Sequence, residues 1–457
     1  MGLTGSADVT SDKVQDQCES QTNMACFDVV VSGGGPTGLL TAIGIKTECP
    51  HLSVAVVEPF QDAKPQKGNL GSAIQSNFDQ RCLALSYGSL MLLNHWNIWS
   101  KLKANGWPIQ SIVTSDRGHI GKTIMRAADY GLHAMGQVAS MHNLGLALKQ
   151  VAVDLEINWF CPDKIDKLSN NNTLLTLTSG QQLTTQLLVV AEGGQSNTRD
   201  LLNISSTTSD YQQSAVIANV KVKGGTKKLQ SQFDQPNNVA FERFTLNGPI
   251  AFLPIGEQEY NVVWTQTPEQ AKEVQGLSDE AFCQRLQNEF GLAAGHINQV
   301  SKRACYPLSM TRVERLTAAN TVLLGNTAHT VHPIAGQGFN LGVRDIGVLV
   351  FALKANLSES NEDNKIESIL RHYEQNRIED IDRIVTFTDF LVRMFGLPGR
   401  TAAFARTTSL MALQASDFLQ QWLALHFMGS HKQFNLGKEL NRPLNSSSQK
   451  IKERVNG

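Results

Sequence analysis

The chain has 457 residues, 41% of them hydrophobic and 18% charged, which is enough for two or three packed units. A net charge of −1 leaves no electrostatic footprint for nucleic acid. Seven scattered cysteines without a Cys-x-x-Cys pair exclude a zinc knuckle or a disulfide framework and fit a reducing compartment, and no run approaches the ~20 apolar residues that span a bilayer.

Residues 1–24 are polar, carry acids and lack an apolar core, so they read as a flexible tail and not as a secretory leader. Phe27-Asp-Val-Val-Val-Ser32 has the apolar run of a buried parallel strand. Gly33-Gly-Gly-Pro-Thr-Gly38 follows, then a helix from residue 39, then a second strand ending in Glu58. This order is what a dinucleotide needs. Glycines 33, 35 and 38 admit a pyrophosphate to the helix start, with Pro36 and Thr37 between them, and the acid accepts from ribose hydroxyls.

Residues 61–80 are loop-like, and Asp79-Gln-Arg-Cys-Leu-Ala-Leu-Ser86 is expected to open a helical stretch reaching about residue 102. The segment 136–143 precedes a helix expected over 144–155. Alternation predicts strands at 174–178 and 182–190, then a sheet unit over 206–303 with strands at 215–222, 239–245, 250–254 and 260–266. A helix at 278–290, capped by Ser278, interrupts that unit.

The densest stretch is 321–345. It opens as a strand, turns at Gly325 and Asn326, passes Pro333, Gly336, Gly338 and Gly342, and runs into an apolar helix from about Asn340. The glycines let backbone approach a flat group. The helix start offers unpaired N–H groups and partial positive charge to a ring that becomes anionic on reduction. His329 and His332 lie three apart but have no carboxylate at ligand spacing, so no metal is expected. Residues from 366 onward read as helical. Over 391–432 large apolar residues combine with Arg393, Arg400, Arg406 and Lys432 against one acid, Asp417. That pattern suits either a membrane or partner surface, or a pair of core helices. Residues 433–457 read as a second flexible tail.

The wording Gly325-Asn-Thr-Ala-His-Thr-Val-His-Pro-Ile-Ala-Gly-Gln-Gly338 resembles the second FAD motif of the flavin-dependent aromatic hydroxylases, with Asn326 where most of that family has Asp. His332-Pro-Ile-Ala-Gly-Gln-Gly-Phe-Asn340 and Phe241-Glu-Arg-Phe-Thr-Leu-Asn-Gly-Pro-Ile-Ala-Phe-Leu-Pro254 resemble the ubiquinone-biosynthesis branch, that of the 2-polyprenyl-6-methoxyphenol hydroxylases. Leu187-Leu-Val-Val-Ala-Glu-Gly-Gly-Gln-Ser-Asn-Thr-Arg199 resembles the family's middle motif, with Glu192 in place of Asp.

The resemblance implies an α/β fold of the glutathione reductase type. Its FAD-binding domain would be a Rossmann-like unit over 25–205 and 304–390, with an inserted β-sheet substrate domain over 206–303 and a helical C-terminal region. The implied cofactor is FAD, reduced by NAD(P)H and carrying oxygen from O₂ to the ring of a polyprenyl phenol as a flavin hydroperoxide. Arg81 is implied at the pyrophosphate, Gln137 near the ribityl chain, Asn326 at a ribityl hydroxyl, and Pro333, Gly336, Gly338, Phe339 and Asn340 at the flavin. No catalytic side chain is assigned. The implied setting is cytoplasmic, peripheral at the inner face of the membrane or within a ubiquinone-biosynthesis complex. A non-hydroxylating flavoprotein on the same scaffold, such as an isoprenoid reductase or an inactive subunit, is the alternative that Asn326 and Glu192 keep open.

Overall fold

The computed structural model describes residues 24–61, 81–102, 106–118, 121–224, 233, 235–357 and 365–397, together with 399, 408, 414 and 416. The expected tail at 1–24 except Met24, the loop at 61–80 except Gln61, the expected tail at 433–457 and the basic positions Arg400, Arg406 and Lys432 lie outside the described residues.

Met24–Ser32 starts exposed and ends wholly buried, as a strand does when it enters the middle of a sheet. It pairs in parallel with Val54–Val57 on one side and with Gln182–Val190 on the other. Thr321–Leu323 and Asn158–Phe160 extend the parallel set outward, and Ile165–Ser169, Leu174–Leu177 and Thr317–Ala318 add antiparallel edges. Two buried faces explain the unbroken Val-rich runs. The helix Pro36–Glu48 is buried from Gly38 to Ile45 because Met141–Asp154 and Gln337–Leu357 cover the sides that the sheet does not. The doubly covered α/β architecture expected from the sequence is the one observed.

The second sheet has nine strands and reaches beyond 206–303. Ser206–Lys223, Val239–Thr245, Gly248–Gly256 and Glu259–Gln266 form its antiparallel centre. Ser111–Asp116 joins in parallel beside Val239–Thr245 and brings Lys122–Arg126 with it, while Ala304–Val313 pairs along Ser206–Lys223. Period two divides this sheet into unlike faces. Val113, Val216, Phe241, Ile250, Phe252, Val262 and Trp264 pack with Phe282, Leu286 and Phe290 from the helix Asp279–Phe290. Ser278 caps that helix, its side chain accepting from Ala281 N at 3.2 Å. The alternate positions, among them Ala215, Ile217, Ala240, Ala251, Leu253 and Val263, line a cavity shared with the ends of the parallel strands.

Cys82–Ser86 is a strand and not the start of a helix. It pairs antiparallel with Gly136–Ser140, which also pairs with Trp107–Ile109. Leu and Ala favour helix locally, but pairing with a segment some fifty positions away overrides that preference. The helix begins at Tyr87, with Ser86 as its cap. Likewise the helix expected from 144 starts at Met141 behind the cap Ser140. The last long helix, Lys365–Gly396, packs on Gln337–Leu357 and reaches Val239–Thr245 and Gly248–Gly256 of the second sheet.

Candidate active site

The parallel strands end together. Ser32, Val57 with Glu58, Ala191 with Glu192, and Leu324 close one side of a cavity of about 1130 Å³. The opposite wall is the free face of the second sheet. Ligands collect beyond the carboxyl ends of parallel strands because helix starts and open backbone groups gather there.

The turn after the first strand is shaped by two tight approaches and one open position. Gly33 has φ of +109°, and a Cβ there would stand 2.4 Å from Ala191 O. A Cβ on Gly38 would stand 1.9 Å from Gly33 O. Both positions therefore exclude a side chain for reasons internal to the fold. Gly35 differs: its φ of −70° suits any residue, and a Cβ would meet nothing within 4 Å. Glycine at that position leaves room for a ligand. Glu58 holds this turn, accepting from Gly34 N at 2.6 Å and from Phe60 N at 3.0 Å.

The middle motif folds as a knot around its acid. Glu192 accepts from Ser32 Oγ at 2.5 Å, Ser196 Oγ at 2.7 Å, Thr198 N at 3.0 Å and also Thr198 Oγ1. Arg199, nearly buried, donates to Thr327 O and Gly194 O at 3.2 Å each. The longer acid is thus accommodated by a full set of donors, and the segment ties itself to the 325–327 turn.

That second turn is fixed from behind. Asp345, fully buried, accepts from Gly325 N at 3.0 Å, pairs with His329 Nε2 at 2.7 Å and accepts from Arg377 Nε at 2.8 Å. Arg377 also binds Asp380 at 2.6 Å, and Arg344 reaches Asp380 at 3.3 Å. Burial would raise the Asp345 carboxyl, but the charges of His329 and Arg377 and the Gly325 N–H hold it below its ordinary range. Burial lowers His332 to about 4, so its ring is neutral. Its Nδ1 accepts from Ile334 N at 3.3 Å, which leaves the proton on Nε2, 3.2 Å from Gln213 Oε1. His329 and His332 thus serve different partners, and no cluster of metal ligands occurs among the described residues.

Asn340 uses its whole amide internally. Oδ1 accepts from Ser86 N and Ser89 Oγ at 2.9 and 2.8 Å, and Nδ2 donates to Ala84 O and Gly336 O at 2.8 Å each. It clamps the start of Gln337–Leu357 onto the Cys82–Ser86 strand, leaving the helix-start backbone turned to the cavity.

Of the residues expected from sequence, Gly33, Gly35, Pro36, Thr37, Glu58, Arg81, Asn326, Pro333, Gly336, Gly338, Phe339 and Asn340 line this one cavity. Arg81 lies 4.9 Å over the ring of Tyr306. Two expected residues are not in the lining. Gly38 packs behind the turn against Gly33, and Gln137 turns away, its Oε1 facing Gly106 from the centre of the small sheet. The reason is alternation: Gly136 borders the cavity, and its neighbour on a strand must point elsewhere. The resemblance implies a wall opposite the flavin from 241–254, and Glu242 and Leu253 of that segment line the cavity. Sequence reading does not single out Thr114, Met125 or Ala240, nor the helix residues Phe387, Phe390, Leu391, Met394 and Phe395, as part of the lining. Period two in 239–245 marks which residues share a face but not what that face borders.

An open Gly35, a helix start lining the cavity through 337–340 and a cavity of about 1130 Å³ fit FAD. The FAD binding domain family matches residues 166–388. The ubiquinone hydroxylase UbiL of Rhodospirillum rubrum is 27% identical over 89% of this chain and 90% of its own length. The 3-demethoxyubiquinol 3-hydroxylase of Escherichia coli is 24% identical over 88% and 98%. The chain is an FAD-dependent aromatic monooxygenase. The fold of this monooxygenase is also that of the crystal structure of PqsL, a probable FAD-dependent monooxygenase from Pseudomonas aeruginosa. There the TM-score is 0.67 at 19% identity, over 84% of this chain and 100% of that one.

Proposed function

We propose that the monooxygenase hydroxylates the aromatic ring of a polyprenyl phenol on the way to ubiquinone. The observation that carries this reading is the apolar stretch that the last helix adds to the cavity. Phe387, Phe390, Leu391, Met394 and Phe395 continue the lining along that helix, and Phe390 within it and Leu397 just beyond it are each 55% exposed. A phenol alone has no need of such a stretch. A prenyl tail does, because each buried CH₂ contributes about 0.8 kcal/mol. The names of UbiL and of the Escherichia coli relative support the same substrate class.

In this reading Gly33, Gly35, Pro36 and Thr37 take the FAD pyrophosphate with Arg81, Glu58 takes a ribose hydroxyl, and Asn326 takes a ribityl hydroxyl through its amide. The backbone of Pro333, Gly336, Gly338, Phe339 and Asn340 meets the flavin. FAD, when bound, would carry electrons from NAD(P)H to O₂, which provides the oxygen atom for the ring. The chain supplies orientation and electrostatics. The start of Gln337–Leu357 stabilises negative charge at its N–H groups, and the largely apolar sheet wall excludes water. NAD(P)H reaches the flavin transiently, since the sequence holds a single glycine-rich dinucleotide turn.

The same exposed apolar end supports peripheral contact with the cytoplasmic membrane or with a protein that delivers the substrate. No helix among the described residues is long and apolar enough to cross a membrane. The test is genetic and chemical. Cells lacking the protein should accumulate an unhydroxylated ring precursor, and the purified yellow protein should couple oxygen uptake to hydroxylation of a prenylated methoxyphenol. Normal ubiquinone with no precursor overturns the assignment.

A further inference from the structure

One carboxyl stands on the cavity face of the second sheet. Glu242 lies mid-strand in Val239–Thr245, opposite Thr114 on one side and Ala251 on the other. Its neighbours along the strand on the same face are Ala240 and Phe244, and Leu253 and Ile112 complete that part of the wall. Part of its surface opens to the cavity. The adjacent residues alternate away from it: Phe241 enters the core against Phe290, and Arg243 is influenced by Arg117, Asp116 and Glu289. Arg117 and Glu289 pair with each other. From the last helix the groups lining the cavity are apolar. Among the described residues no charge therefore compensates Glu242, and burial pushes its carboxyl up to about 8.

An uncompensated carboxyl in an apolar wall is destabilising unless something uses it. The wall shares its cavity with the 333–340 turn, so Glu242 and that turn border one ligand space. We propose that Glu242 is the catalytic base of this monooxygenase and takes the phenolic proton of the substrate. This rests on the reading of the substrate as a phenol. In the step the phenol O–H bond breaks, its proton passes to the Glu242 carboxylate and its electron pair stays on oxygen. The phenolate then donates electron density to the ring carbons that receive oxygen, and the proton leaves to water with the product. An ordinary glutamate, near 4.3, is a weak acceptor from a phenol near 10. The apolar wall narrows that gap, which is the matching that proton transfer needs.

The test uses the full-length, FAD-loaded protein, a prenylated methoxyphenol and, separately, 4-nitrophenol as a chromogenic probe whose ionised and neutral forms differ in colour. Glu242→Gln keeps the shape and a hydrogen-bonding head. Retained flavin colour and the unfolding midpoint show whether the variant is folded. The expected result is that wild-type protein binds the probe ionised and the variant binds it neutral. Product formation should fall at least 100-fold while substrate affinity changes less than tenfold and oxygen consumption continues as peroxide. The rise of wild-type kcat/KM towards pH 8 should disappear in the variant, and part of its rate should return at higher pH as the phenol ionises unaided. A folded Glu242→Gln protein with product formation within threefold and an unchanged pH profile overturns the proposal. So does a variant that still binds the probe ionised. If wild-type protein hydroxylates no phenol yet ionises the probe only when Glu242 is present, the substrate assignment falls and the proton acceptor stands.

Discussion

The two glycines Gly35 and Gly38 lie three residues apart in one turn and should fail in opposite ways. In Gly35→Val the backbone already has φ of −70°, and the new Cβ has no protein atom within 4 Å. The apoprotein should fold with unchanged stability, or gain about 0.4–1 kcal/mol from the stiffer unfolded chain. The valine methyls then occupy the approach to the helix start. Loss of one or two charge-assisted hydrogen bonds to a pyrophosphate, at about 1.5–3 kcal/mol each, weakens FAD by roughly 100-fold. In Gly38→Ala the methyl would lie 1.9 Å from Gly33 O, a backbone atom that cannot step aside. That overpacking should cost at least 1–3 kcal/mol of stability, whatever the ligand. Urea unfolding of the apoproteins and titration of FAD by quenching of its fluorescence separate the two. A Gly35→Val protein that is yellow, with FAD affinity within threefold of wild type, refutes the assignment of this turn to the cofactor.

Two further predictions concern the support of the second turn. Asp345→Asn removes the negative charge and one of the two acceptor oxygens with which Asp345 holds Arg377 and His329 in a fully buried network, and should cost about 3–5 kcal/mol in urea unfolding. A loss below 0.5 kcal/mol would show that the network carries no load. Because the Asp345 and Asp380 carboxyls are held low in the folded state, their contribution is present above the unfolded value near 3.9 and is lost as pH falls below it. His332 acts in a higher window. Burial lowers it to about 4, so between about 6.5 and 4 the unfolded chain binds a proton that the folded one refuses. Stability should fall by about 3 kcal/mol across that window and be constant above it with respect to this group. A His332→Gln variant should flatten the slope between pH 6.5 and 4, and an unchanged slope would assign it elsewhere.

What the sequence determined by itself is local. The 33–38 turn between apolar strands, the strand at 239–245, the helix capped by Ser278 and the glycine-rich entry to the 337–357 helix are each specified by neighbours within a few positions, through backbone conformation, capping and periodicity. These elements also carry most of the expected cofactor residues, because a pyrophosphate-binding turn is itself a local device. The tertiary structure decided what depends on partners far away in the chain. Cys82–Ser86 is a strand because Gly136–Ser140 lies beside it, and that pairing also turns Gln137 from the cavity. Ser111–Asp116 joins the second sheet because Val239–Thr245 offers a parallel edge. Asn340 has a free amide in the sequence, and only the fold shows that Ser86, Ser89 and Ala84 take up that amide. Glu242 reads as one polar position in an alternating strand. Which side of a sheet borders a cavity, and whether a charge there has a partner, is fixed by long-range packing of the two sheets, and periodicity carries no information about it.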